Sequence, residues 1–386
     1  MLRWSTCSAR IFTTVMHQAG RRGVLEHLTR SRLNLLVGLL PVALALRWAG
    51  ASDVLVFVAS AVAVVPLAGL IGDATEQVAH YIGPSLGGFL NATFGNAAEL
   101  IIAVLALHEG LVEVVKASLT GSLLGNLLLV LGAAMLVGGW GRERQLFNRT
   151  QVGMSAGLLL LTVGALLMPD IYAETLNAAQ PIQAPDILLI SVLVSVVMLG
   201  SYAASLLFSL KTHRPVLSSP HPSLEPAVLS QRNALLLLLV STVLTAIAAE
   251  VLVGSIEHAA SVLGLSDLFV GAVVVAIVGN AAEHFSAVLF ARRDHMDLAV
   301  GIALGSASQV GLLVAPVAVL VSLVVGHPLV LVFDHFELGA ILLAVLGVSF
   351  LSLDGESNWF EGVLLLGIYS NTAIIFFFVP SSSISP

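Results

Sequence analysis

Eleven apolar stretches constrain this chain more than any other feature. They lie near 33–50, 53–75, 84–108, 114–139, 150–169, 186–210, 233–254, 267–291, 296–325, 337–353 and 359–379. A helix needs about 20 mostly apolar residues to cross a bilayer's hydrocarbon core. No water is present there to satisfy backbone groups, so each stretch must close its own hydrogen bonds as a helix. The expected fold class is therefore an all-α polytopic membrane protein with 11 transmembrane helices. Composition agrees: 58% of the 386 residues are hydrophobic and only 10% are charged, against about 25% charged in a water-soluble domain. The third and eighth stretches, 84–108 and 267–291, are less purely apolar than the rest.

Charge narrows the reading further. The net charge is −7 and no basic cluster is present, which argues against nucleic acid as a partner. Cys7 is the only cysteine, so neither an internal disulfide framework nor a cysteine-rich metal site is available. Residues 1–32 hold six arginines and one acid, Glu26. They read as a cytoplasmic basic N-terminal tail, with an organelle transit peptide as the competing reading. With the N-terminus in the cytoplasm, 14 of the 16 basic residues fall on the cytoplasmic side. Only Arg47 and Lys116 lie towards the other side. This is the asymmetry that sets orientation in helical membrane proteins.

The stretch 211–232 breaks the pattern, with four prolines and no long apolar run. It reads as a cytoplasmic linker. The expected organisation is then a first helix over 33–52, a five-helix unit over 53–210, the linker, a second five-helix unit over 233–379 and a short tail, 380–386. The two units are related by a shift of 184 residues. Gly95–Glu99 and Gly279–Glu283 are the same pentapeptide, Gly-Asn-Ala-Ala-Glu, and Gly121-Ser122 recurs as Gly305-Ser306. Gly87 meets Gly271, and Asp73 meets Glu257. Five is odd, so the second unit enters the membrane from the opposite side. Such inverted repeats place ion sites at their interface near the midplane.

The pentapeptides suit a cation. Glu99 and Glu283 should lie inside the membrane, where a charge costs several kcal/mol unless it meets a cavity, a partner or an ion. Asn96 and Glu99 are three residues apart and share a helix face, as do Asn280 and Glu283. Carboxylate and amide oxygens are hard ligands of the kind that Ca²⁺ collects. Gly95, Ala97 and Ala98 keep the helix thin. Gly83-Pro84, Gly87 and Gly88 would permit a break or kink near the helix start. Ser122, Ser306 and Gln309 offer further oxygens from the following helices, while Gly125, paired with Gln309, has no side chain to offer. Glu250, Glu257, Glu76 and Asp73 are secondary candidates as gate or proton-path groups, set against ordinary interfacial acids. His284 either tunes Glu283 or packs as a neutral ring. No resident cofactor and no catalytic group are expected: no His-Glu-x-x-His and no convincing nucleophile–base pair is present.

Three segments carry a resemblance: GPSLGGFLNATFGNAAELIIAVLAL at 83–107, GSLLGNLLLVLG at 121–132 and VGNAAEHFSAVLFARRDHMDLAVGIALGSASQVGLLVAPV at 278–317. They resemble the Ca²⁺/cation–proton antiporter family, called CAX, from about residue 33 to 379. The resemblance implies one helix plus two inverted five-helix repeats, with Glu99 and Glu283 as central Ca²⁺ ligands and Asn96 and Asn280 beside them. It implies Ca²⁺ and protons as the exchanged substrates. Family members often carry an acidic segment between the halves; here Glu225 is that segment's only acid. Same-fold antiport of Mn²⁺, Na⁺ or K⁺ and a passive cation channel are the alternatives. The expected place is a bacterial inner membrane, with a vacuolar or plastid membrane as the alternative, and a homo-oligomer is compatible with the sequence.

Overall fold

The structure is a computed structural model that describes residues 32–177, 184–213 and 228–379. Most of the N-terminal tail, most of the linker and the C-terminal tail lie outside the described residues. Twelve helices follow one another among the described residues. They are α1 (Asn34–Trp48), α2 (Asp53–Ile82), α3 (Pro84–Phe94), α4 (Ala97–His108), α5 (Val112–Gly139) and α6 (Arg149–Thr175). Then come α7 (Asp186–Thr212), α8 (Gln231–Leu263), α9 (Asp267–Arg292), α10 (Met296–Val325), α11 (His335–Leu351) and α12 (Trp359–Phe378). Among the described residues, eight of these helices are long and apolar enough to cross a membrane. Helices α1, α4 and α11 are shorter apolar helices.

The apolar stretches are all helical, but several differ in extent from the expectation. Helix α2 runs on to Ile82 and α8 to Leu263, where left-handed Gly264 ends it. The stretch 84–108 is two helices rather than one. At Gly83, φ is +84°, which favours glycine and lets Pro84 open α3. A second interruption falls at Asn96, with φ −100° and ψ 24°, between α3 and α4. The expected break at Gly83-Pro84 is present, and a second one falls inside the pentapeptide.

Burial separates the helices into an inner and an outer set. In α5, 78% of the most apolar window is buried, against 22% in α7 and 17% in α12. A soluble protein could not leave α7 and α12 so exposed; lipid tails can cover them. Helix α2, which contains Pro66, lies along α8, and α5 meets α9 near their N-terminal ends. Three inner helices contain a turn widened to the i→i+5 pattern: Gly125–Val130 in α5, Val270–Val275 in α9 and Val310–Val314 in α10. Such bulges offset side chains along a helix and recur at functional sites.

One non-helical feature was not expected. Strand β1 (Gln145–Leu146) pairs antiparallel with β2 (Glu356–Ser357). The buried side chain of Gln145 donates to the carbonyl of Ala291 at 3.0 Å and to Asp294 Oδ1 at 2.8 Å. The α5–α6 loop, the α11–α12 loop and the end of α9 are thereby fastened together.

Candidate cation site

The two pentapeptides meet, each with its glycine against the other's carboxylate. A Cβ added to Gly279 would stand 3.6 Å from Glu99 Oε1, and one added to Gly95 would stand 3.8 Å from Glu283 Oε1. Glycine at these positions lets two helix backbones approach the opposite acid. Any larger residue would compete for the space beside it.

A polar lattice crosses between the halves at this level. Asn280 Nδ2 donates to Ser122 Oγ at 2.9 Å and to the carbonyl of Ala276 at 2.9 Å. Asn126 Nδ2 donates to Asn280 Oδ1 at 3.2 Å and to Ser306 Oγ at 2.9 Å. Asn96 Nδ2 donates to Gln309 Oε1. The amide groups of all three asparagines are thus spent on holding neighbours. The oxygens are left over: Asn96 Oδ1, Asn126 Oδ1, both oxygens of Glu99 and Oε2 of Glu283 are buried without a hydrogen-bond partner. Buried polar groups are normally satisfied. A concentration of unsatisfied acceptors, two of their bearers carboxylates, fits a hard cation that takes 6–8 oxygens, or protons in its place.

Access to the two acids differs. A cavity of about 920 Å³ reaches Glu283, Ser306 and Gln309 at its floor. Asp73, Glu76 and Asp297 also line it. Gln151 and Phe290, close in sequence to Arg149, Arg292 and Arg293, line it as well. Glu99 is 8% exposed and does not line the cavity. On the far side of the site α5 and α9 are in direct contact. A Cβ on Gly121 would fall 2.0 Å from the carbonyl oxygen of Ala272. A Cβ on Gly271 would fall 2.6 Å from Ala117 Cβ and 2.6 Å from the carbonyl oxygen of Val114.

The structure therefore brings together Glu99, Glu283, Asn96, Asn280, Ser122, Ser306 and Gln309. His284 is adjacent: its ring lies 3.9 Å from the Cβ position of Gly125, and its Nε2 is buried without a partner. Asp73 and Glu76 line the cavity, and His80 lines it too. Glu250 and Glu257 are exposed on α8 and do not line the cavity. Arg47 Nη1 reaches the backbone carbonyl of Glu250 at 3.5 Å. Asn126 is the site residue that sequence reasoning missed. It is the sole polar side chain between Leu123 and Gly139, and that isolation was the available signal.

Comparison with known proteins agrees with this geometry. The family model described as sodium/calcium exchanger protein matches two stretches, residues 52–211 and 233–378. A Ca(2+)/H(+) antiporter of Synechocystis is 43% identical over 92% of this chain and 99% of its own length. The Ca(2+)/H(+) antiporter ChaA of Bacillus subtilis is 42% identical over 83% of this chain and 91% of its own length. Among solved structures, native YfkE superposes with a TM-score of 0.78 at 38% identity, over 90% of this chain and all of that one. An H+/Ca2+ exchanger CAX crystal structure shares the fold, with a TM-score of 0.65 at 15% identity over 90% of this chain and 91% of its own. With the cross-facing pentapeptides and the shared fold, these matches establish that the chain belongs to the sodium/calcium exchanger family, in its Ca²⁺/cation–proton antiporter branch.

Proposed function

We propose that the protein is a secondary Ca²⁺/H⁺ antiporter that moves cytosolic Ca²⁺ out of the cytosol in exchange for protons. The observation that carries this reading is the pairing of Glu99 and Glu283 across the two pentapeptides, with buried carboxylate oxygens that no protein group satisfies. Relatives named as Ca(2+)/H(+) antiporters support it over much or nearly all of the chain.

The coupling follows from charge. Two carboxylates are neutralised by one Ca²⁺ or by two protons. With both ionised and nothing bound, two like charges sit in a medium where even one costs several kcal/mol. Loaded forms can rearrange; the empty form resists. Cargo and counter-ion therefore compete for the same oxygens, and their fluxes are linked without ATP. Asn96, Asn280, Ser122, Ser306 and Gln309 tie the helices that carry the acids to their neighbours and offer neutral oxygens.

The finer architecture belongs to the same proposal. Eleven membrane segments are read, with α3 and α4 together forming the third. Two observations support inverted repeats over 53–210 and 233–379. The family model matches nearly those two stretches separately. The widened turn at Gly125–Val130 also falls, after the 184-residue shift, on the one at Val310–Val314. Residues 1–32 would be the cytoplasmic tail and 211–232 the cytoplasmic linker. The cavity opens on the face with the basic loops, which the positive-inside rule makes the cytoplasmic one. Relatives include bacterial proteins and vacuolar exchangers of yeast and rice; a bacterial cell membrane is the reading proposed here.

The deciding experiment reconstitutes the purified protein in proteoliposomes and measures flux with and without a pH gradient, comparing Ca²⁺, Mn²⁺, Na⁺ and K⁺. Ca²⁺ uptake driven by the gradient, with matching proton movement, is expected. Ca²⁺ flux indifferent to the gradient would mean a passive channel and would sink the proposal.

A further inference from the structure

Six residues make the sealed contact on the far side of the site: Val114, Ala117, Ser118 and Gly121 of α5 against Gly271 and Ala272 of α9. The 184-residue shift carries them to Leu298, Gly301, Ile302 and Gly305 of α10, and to Gly87 and Gly88 of α3. All six of these counterparts line the open cavity. The most crowded glycine of the sealed contact, Gly121, corresponds to Gly305, where an added Cβ would meet nothing within 4 Å. The same seam thus occurs twice, once shut and once open.

Helix α3 is built to shut the open copy. It is 11 residues long and bounded by Gly83, at φ +84°, and by the irregular turn at Gly95–Asn96. Chain breaks at both ends let a short helix swing with little change in its own hydrogen bonding. In the present state Gly88 packs against Leu210 of α7, whose side-chain Cδ2 would lie 2.5 Å from an added Cβ. That neighbour is the end of a flexible side chain and can give way.

We propose that Gly88 of α3 and Gly305 of α10 are positioning residues for the exchange: they close the cytoplasmic-side cavity when α5 and α9 part at Gly121 and Ala272. Backbone meets backbone at Gly88–Gly305 as it does at Gly121–Ala272 now. Glycine is needed at position 305, as at Gly121, because the facing backbone leaves no room for a side chain there. The alternation exchanges one close-packed seam for its counterpart, so the packing given up beyond the site is recovered on the cavity side. This inference rests on the repeat and antiporter readings above.

The test uses the full chain with Cys7→Ser, which leaves it without cysteine. Gly88→Cys and Gly305→Cys are introduced together, and vesicles are oxidised under Ca²⁺ load or under proton load. A disulfide is expected under one load, because it requires Cα atoms within about 7 Å. It should bring exchange to the empty-vesicle background, with reductant restoring exchange. Where the double variant is inactive even when reduced, the reactivity of the thiol in Gly305→Cys alone towards a charged maleimide decides. Protection under one load supports the seam, and equal reactivity under both overturns it. Gly305→Leu supplies a second arm: Ca²⁺ binding in detergent should match the parent protein while exchange is lost. Exchange at the parent rate in Gly305→Leu, or no cross-link under any load in an active double variant, overturns the proposal. Failure of the parent protein to exchange would instead count against the antiporter reading.

Discussion

The two pentapeptides have the same sequence and different structures. Gly279–Glu283 lies within continuous helix α9, and Glu283 looks into the cavity. Gly95–Glu99 spans a chain break, and Glu99 is sealed from the cavity. Identical residues cannot by themselves cause the difference; their surroundings must. One half holds its seam shut at Gly121–Ala272, and the other leaves Gly305 facing space. Under the repeat reading proposed above, the unlike conformations of the halves would be two states that each half can adopt. The identical pentapeptides would then favour neither state, and the load at the site would choose.

The comparison can be broken or sharpened by substitution. The largest effect is expected at the acids. Glu99→Gln and Glu283→Gln should each abolish ΔpH-driven Ca²⁺ uptake in everted vesicles, since exposure differs between the two but charge is needed from both. Undiminished uptake in either would remove that acid from the ion site. A carbodiimide should separate them in the opposite sense, labelling Glu283 well ahead of Glu99 in the present state, as read by peptide mass spectrometry.

The next effect lies at the paired glycines. Gly121→Ala forces a Cβ onto the Ala272 backbone and should lower thermal stability in detergent by about 1–3 kcal/mol, the usual cost of overpacking. Gly305→Ala adds the same atom to open space and should leave the stability of this state unchanged or raise it by up to about 1 kcal/mol, from helix propensity. Equal losses at the two positions would contradict the asymmetry. Asn126→Ala removes the donor to Asn280 and Ser306 and should cost about 1–3 kcal/mol. A double-mutant cycle with Asn280→Ala should show less than additive loss. The smallest effect is expected at Glu250→Gln, an exposed site outside the cavity, within about 0.5 kcal/mol in stability and with exchange unaltered.

Much of this was legible because the signals were chemical. Apolar length located the helices, and the Gly-Asn-Ala-Ala-Glu repeat located Glu99 and Glu283. Other features depend on who the neighbour is, which one chain's pattern does not carry. The break at Gly83-Pro84 was legible because glycine and proline mark breaks by composition. The second break was not: it lies where Asn96 turns its amide to Gln309 on the other half. Glu250 and Glu257 looked functional for being acids near apolar sequence, yet α8 presents both outward. Asn126 was passed over because its meaning comes from Asn280 and Ser306, more than 150 residues away.

The small ladder between β1 and β2 has a mechanical consequence. It joins the α5–α6 loop to the α11–α12 loop, and Gln145 adds the end of α9 to the same knot. With that rim tied, α5, α6, α9, α11 and α12 are joined at the basic face, and under the seam exchange proposed above a whole-body roll of the halves would have to break this ladder. Displacement is left to the elements outside the knot, with α3 the shortest of them. A machine strapped in this way works by short strokes of light parts, and its speed should depend more on the loading of two carboxylates than on the thickness or stiffness of the surrounding bilayer.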